Sequence, residues 1–385
     1  MSGRAGPTRR TSGGPSAGRP ADLRRALGGT PGAGAGAGRG CRAVVRPAGR
    51  SRLAPVSTCT TVSRQLGEAQ GATAPTATTW LLLEQPGPWG AKALTSSHLD
   101  PELGRALERA AEGTGVRIAL VRRPGRHADC RTRSVRQVYA AHTLPGNSWV
   151  RSADTAAPEE LLRLDFAALG RGEHHTFDTV LRGVPHTAGP LALVCTNGKR
   201  DRCCALLGRP LAAELAAAGE HGVWEVSHLG GHRFSPTLLL LPHGYAYGRA
   251  ETGAVRGALR GLREGRVDLD GCRGRSAWER PAQAAELAVR ALSGEYGADA
   301  LTVVRTEELP APAVPGPHGA PAPEDGTPLW EVTVAHTDGR RWHVTVARGA
   351  AEPPRPESCG AAVLGTPARM DVLAVRELSL PHAPR

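Results

Sequence analysis

Four side chains with soft donor atoms fall within one short stretch of the chain. Cys195 and Cys204 are nine positions apart, and His228 and His232 are four apart. Thiolates and imidazoles are the donors that hold zinc, copper and iron–sulfur centres. Two of each, so near one another, point to a bound metal centre. The stretch runs from Leu191 to Arg249 and contains three of the eight cysteines.

Local sequence says how each donor would be presented. Cys195 closes the apolar run Leu191–Val194, a predicted strand, and Thr196–Arg202 forms a loop into a predicted helix. Cys204 lies at or just inside that helix, where free backbone N–H groups and the helix dipole favour a thiolate. Arg200 and Arg202 add positive charge nearby. Between the histidines stand Gly230 and Gly231, with no Glu, so the pair is not the helical His-Glu-x-x-His of a zinc protease. It reads as a loop whose glycines let the backbone wrap a centre closely. On the residues alone, three readings stay open: a buried thiol cluster with loop histidines, a structural zinc, and an iron–sulfur centre. No Cys-x-x-Cys is present, which disfavours thioredoxin-type exchange, although Cys203 and Cys204 remain candidates for a thiol oxidoreductase.

The segment Cys-Thr-Asn-Gly-Lys-Arg-Asp-Arg-Cys-Cys-Ala from Cys195, then Gly208-Arg209-Pro210-Leu211, then Ser227-His228-Leu229-Gly230-Gly231-His232-Arg233-Phe234, closely resembles the sucrase/ferredoxin-like family of thioredoxin-like ferredoxins. Thinner likeness extends over Trp80–Gly90, Ser97–Pro101 and Tyr247–Arg249, and covers about 60–360 in all. The resemblance implies a [2Fe–2S] cluster held by Cys195, Cys204, His228 and His232, with Cys203 as a neighbour or, as the alternative assignment, as the ligand in place of Cys204. It implies an electron carrier rather than an enzyme, working with a redox partner protein whose identity is unknown. Imidazoles in place of thiolates make such a cluster less negative and raise its potential. Their free N–H groups also link reduction to proton uptake. The word "sucrase" finds no support, because no carboxylate pair is placed for glycoside hydrolysis.

Elements to position these donors are legible in order. Thr79–Glu84 predicts a strand ending in the turn Gln85-Pro86-Gly87-Pro88. In His98–Glu112, Leu99, Leu103, Ala106, Leu107 and Ala110 share one helical face, with Asp100 as cap and Pro101 in the first turn. Strands follow at Val116–Val121 and Val135–Ala141. The order β-α-β-β then recurs: a strand at Leu191–Val194, a helix at Asp201–Ala218 facing inward through Leu206, Leu207, Leu211, Leu215 and Ala218, and strands at Gly222–Val226 and Thr237–Leu241. Helices at Gly253–Glu264 and Arg280–Tyr296 precede a hairpin, Leu329–His336 and Arg341–Ala347, turned at Asp338-Gly339. Glu307–Pro328 reads as a Pro-rich loop, and the last ~35 residues carry little pattern.

The fold class is therefore α/β (α+β): a thioredoxin-like ferredoxin region, a second α/β half N-terminal to it, and a C-terminal helix and hairpin extension. The expected boundaries are a leader at 1–56, the N-terminal half at 57–185, the ferredoxin region at 186–265 and the extension at 266–385. The leader is rich in Arg, Gly, Ala and Pro, and is expected to be disordered. A mis-assigned start, a basic tail and a transit peptide are its three readings.

The formal charge of +12 comes mostly from eleven Arg against Asp22 within residues 1–56. The remainder lacks the basic stripe of a nucleic-acid binder. No apolar run approaches the ~18 residues of a membrane span, and eight cysteines in 385 residues make no disulfide scaffold. A reducing, cytoplasmic setting is expected. Cys59, Cys130, Cys272 and Cys359 read as isolated buried thiols, with Cys359 able to approach the centre. Trp80, Trp89 and Trp224 read as core, His142, His174 and His175 as structural, and Arg233 and Arg249 as solvated or as a dock for an acidic partner. Gly244–Gly248 lacks the strand-then-helix setting of a phosphate loop.

Overall fold

The computed structural model describes residues 58–125, 134–310 and 327–378. Cys130 and the leader expected to be disordered lie outside them. The described residues belong to one compact unit.

The first half contains β1 (Thr79–Glu84), α2 (Pro101–Ala111), β2 (Val116–Arg122) and β3 (Arg136–His142), after a short α1 (Cys59–Gln65). The second contains β6 (Leu191–Cys195), α5 (Arg209–Ala217), β7 (Val223–Val226) and β8 (Leu238–Leu241). Both halves have one topology: β1 pairs parallel with β2 and antiparallel with β3, as β6 does with β7 and with β8. They meet where β2 and β7 run antiparallel, Val121 opposite Val226 and Arg122 opposite Glu225. The recurring β-α-β-β order is thus a repeat in space as well as in sequence.

Each half grows outward by two antiparallel strands. β4 (Trp149–Thr155) and β5 (Val184–Pro185) extend the first, and β9 (Tyr245–Tyr247) and β10 (Cys272–Arg275) the second. The result is a ten-stranded sheet in the order β10-β9-β8-β6-β7-β2-β1-β3-β4-β5.

Strand side chains alternate between faces, and the alternation sorts the core. Leu81, Leu83 and Leu120 pack with Leu107 of α2 and with Phe166 and Phe177, which lie on α3 (Phe166–Gly170) and α4 (His175–Leu181). Ala192 and Val194 pack with Leu211 and Leu215 of α5 and with Leu259 of α6 (Thr252–Arg263). The opposite face forms one cluster through both halves, joining Trp80 and Leu82 to Leu193, Cys195, Cys204 and Trp224. Asp100 caps α2 as expected, accepting from the N–H groups of Glu102 and Leu103.

A second, four-stranded antiparallel sheet holds β11 (Leu301–Leu309), β12 (Leu329–His336), β13 (Arg341–Ala350) and β14 (Ala368–Leu378). It packs against α7 (Arg280–Ser293) through Val289, Val332, Trp342 and Val344. The predicted hairpin is β12–β13. β14 corrects the patternless tail: its residues are half-buried or exposed, so no apolar alternation marks it. Mixed helix and strand content with two sheets is an α+β protein.

Candidate metal centres

β6 delivers Cys195 because its alternation sends Leu191, Leu193 and Cys195 to the shared face and Ala192 and Val194 to the helical face. The strand end is fixed by bonds from the N–H groups of Cys195 and Thr196 to the carbonyls of Thr237 and Val226. Asn197 ties the following loop to the first half by donating to the Gly90 carbonyl at 2.9 Å. Asp201 then caps a helical run, its carboxylate accepting from the Cys203 N–H at 2.9 Å.

That run opens with a wide π-type turn, Cys204–Gly208, before α5 proper. Pro210 has no N–H to donate, and a Cβ on Gly208 would sit 2.1 Å from the Cys195 carbonyl oxygen. The helix therefore lies directly on the strand end and brings Cys204 to Cys195. Such wide turns recur at functional sites. The turn also shifts the helical phase: Leu206 and Leu207, expected inside, are exposed, as is Ala218, while Leu211, Ala212 and Leu215 are buried.

The four predicted donors converge. Cys195 Sγ and Cys204 Sγ are 3.6 Å apart, and Cys204 Sγ is 3.4 Å from His232 Nδ1. His228 meets Cys195 through its side chain, and the two imidazole rings stand 4.9 Å apart. Past β7 the chain keeps alongside β2, with Ser227 N–H bonded to the Leu120 carbonyl and the Ser227 hydroxyl accepting from the Leu120 N–H. The chain then turns through Gly230 and Gly231 at φ +82° and +69°. A Cβ on Gly231 would collide with the Arg273 guanidinium, so glycine is required there twice over.

The electrostatics suit a metal-binding set. Its hydrogen bond to Cys204 holds the Cys195 thiol well below the ordinary range, aided by His228 and the Leu229 N–H, although burial opposes this. Cys204 is pushed up by the same bond and by burial. Burial lowers His232 and keeps it neutral, as a ligand must be. His228 Nδ1 is buried without a hydrogen-bond partner. The donor set fits a metal centre: two thiolates on one tetrahedral ion at ~2.3 Å stand about 3.8 Å apart, close to the spacing found.

A second group was not legible in the sequence. Cys203 points away from Cys204's partners and meets Cys359 at 3.0 Å and Cys59 at 3.4 Å, while Cys59 and Cys359 are 3.6 Å apart. With Asp201, these residues place one donor each within 4.8 Å of all the others, an arrangement that can hold a metal ion. The reading of Cys59 and Cys359 as isolated thiols is thereby corrected. The Cys59 contact lowers Cys203 to about 5 against burial, whereas burial and Cys203 raise Cys359 to about 11. Cys203 and Cys204 thus face different sets of partners: Cys203 meets Cys59 and Cys359, and Cys204 meets Cys195 and His232.

Other candidates resolve into structure. Arg233 is buried on Glu68 at 2.7 Å and reaches Glu357 at 3.4 Å, and Arg249 donates to the Ser63 and Glu68 carbonyls, so neither is a free docking charge. Trp80, Trp89 and Trp224 are core, His142 bonds Thr79, and His174 bonds Asp178. A recess of about 320 Å³ beside His228 is lined by Lys92, Arg117, Arg200 and Glu108 among others. Among the described residues, no helix is long and apolar enough to cross a membrane.

No curated protein and no solved structure matches the chain. The pattern of the family described as sucrase/ferredoxin-like matches residues 71–274, more than half of the chain and a span that includes all four converging donors. The protein therefore belongs to the sucrase/ferredoxin-like family.

Proposed function

We propose that the protein is an electron carrier holding a [2Fe–2S] cluster through Cys195, Cys204, His228 and His232. The observation that carries this reading is the meeting of two buried thiols with two neighbouring imidazoles at the shared ends of β6 and β7. A cluster bound there accepts and returns one electron at a time.

The residues of the chain set its properties. The Leu229 N–H donates to Cys195 Sγ, and the positive charges of Arg117 and Arg273 act on the same sulfur. Each of these favours the more negative, reduced state and so raises the potential. Both cysteines are fully buried, while the histidines are only half-buried. The imidazole edge is therefore the route by which electrons enter and leave. Lys92 and Arg200 beside His228 suit an acidic redox partner. The cysteines among the described residues are all free, as in a reducing compartment such as the cytoplasm.

Anaerobic purification followed by visible absorption and iron and sulfide analysis tests the reading. The expected result is a coloured protein with two irons and two sulfides per chain, lost together in Cys195→Ser. A colourless, iron-free protein overturns it.

A further inference from the structure

We infer that Cys59, Cys203, Cys359 and Asp201 form a second, separate metal site, a closed tetrahedral one for a zinc-type divalent ion. Three sulfurs and one carboxylate oxygen make a soft, four-donor set. Such a set excludes calcium and magnesium, which take oxygen ligands in higher number, and fits zinc. The sulfur separations of 3.0, 3.4 and 3.6 Å gather the donors around one point rather than spreading them over a larger cluster, and they need to open only to about 3.8 Å to hold one tetrahedral ion.

The site is organised before any ion arrives. The Asp201 carboxylate accepts from the Cys203 N–H through Oδ1 and from the Cys359 N–H through Oδ2, both at 2.9 Å, which fixes two of the three thiols relative to the carboxylate. Thr58 caps α1 at its first turn and places Cys59 against them. Cys59, Asp201 and Cys203 are buried, and Cys359 is partly exposed on the side from which an ion would enter.

Two of the three contributing segments have little regular structure of their own. α1 is seven residues long, and Cys359 lies between β13 and β14 in a stretch without helix or strand. Cys59 and Cys359 both fall outside the span matched by the family pattern, whereas Asp201 and Cys203 fall inside it. An ion here joins the two outlying segments to the turn that carries Cys204. Thr60 already donates to the His232 carbonyl at 3.0 Å, so the same staple steadies the histidine loop. Zinc is redox-silent, so the site holds its neighbour in place without exchanging electrons.

Metal analysis of the full chain, expressed with zinc and iron supplied and purified anaerobically, tests this. One zinc per chain is expected beside the iron. Cys359→Ser should lose most of the zinc and keep the iron and visible absorption, and Cys59→Ser should do the same. Cys195→Ser should lose iron and keep zinc, which separates failure at one centre from failure at the other. Protein that folds but contains no zinc, and takes none up when zinc is added to the reduced chain, overturns the inference. So does a Cys203–Cys359 disulfide found by mass spectrometry in the anaerobic protein, or zinc retained at one equivalent in both serine variants.

Discussion

Gly208 lies against the carbonyl of Cys195, so closely that a Cβ there would stand 2.1 Å from the oxygen. This contact sets the distance between the helix that carries Cys204 and the strand that carries Cys195. Gly208→Ala should push the two apart. Overpacking of this kind destabilises by about 1–3 kcal/mol, and iron content should fall with it. Thermal melts and iron analysis check both, and unchanged iron would separate Gly208 from the centre.

Replacing His228 by Cys should keep a cluster but lower its potential, because a thiolate adds the negative charge that a neutral imidazole withholds. The shift should be on the order of 100 mV. A redox titration followed by visible absorption measures it, and an unchanged potential argues that His228 is not a ligand.

His142 is buried between Thr79 and the Arg275 side of the sheet, and burial, then Arg275, lowers its pKa to about 4. The unfolded chain binds a proton near pH 6.5 that the folded state refuses, so this stability is present above pH 6.5 and lost as pH falls toward 4. The expected loss between pH 7 and pH 5 is about 2 kcal/mol. Denaturant titrations at the two pH values should show it, and His142→Asn should flatten the dependence.

Glu286 and Arg290 of α7 form a fully buried pair at 3.0 Å, joined by the Tyr245 hydroxyl, which donates to Glu286 at 2.6 Å and accepts from Arg290. The three link the helix beneath the second sheet to β9. Removing one charge leaves the other buried and unpaired, so Arg290→Met should cost about 3–5 kcal/mol. Urea unfolding measures the loss, and the double variant with Glu286→Leu should recover part of it.

Much of this was legible in the sequence, for physical reasons that differ by element. β6 and β7 are short apolar runs bounded by turn residues, and the β-α-β-β order repeats, so the two halves could be read, whereas the four converging donors were read from their residue types and spacing and from the family resemblance. What failed was long-range or phase-dependent. Cys203 meets Cys59 and Cys359 across 144 and 156 positions, and no local spacing encodes such a meeting. Three otherwise unexplained cysteines in a chain expected to stay reduced were the available signal. Leu206 and Leu207 were placed inside by regular helical spacing, and the wide turn forced by Gly208 and Pro210 rotated them out. β14 sits at the edge of its sheet with polar residues on both faces, so its sequence lacks the alternation that marked β12 and β13.

Pulsed electron paramagnetic resonance on the chemically reduced protein tests the central claim most directly, because it detects nitrogen bonded to the centre. The account predicts couplings from two imidazole nitrogens, one of them lost in His228→Cys and the other in His232→Cys. A reduced centre with no nitrogen coupling, or one that keeps both couplings when His228 and His232 are replaced, would contradict it.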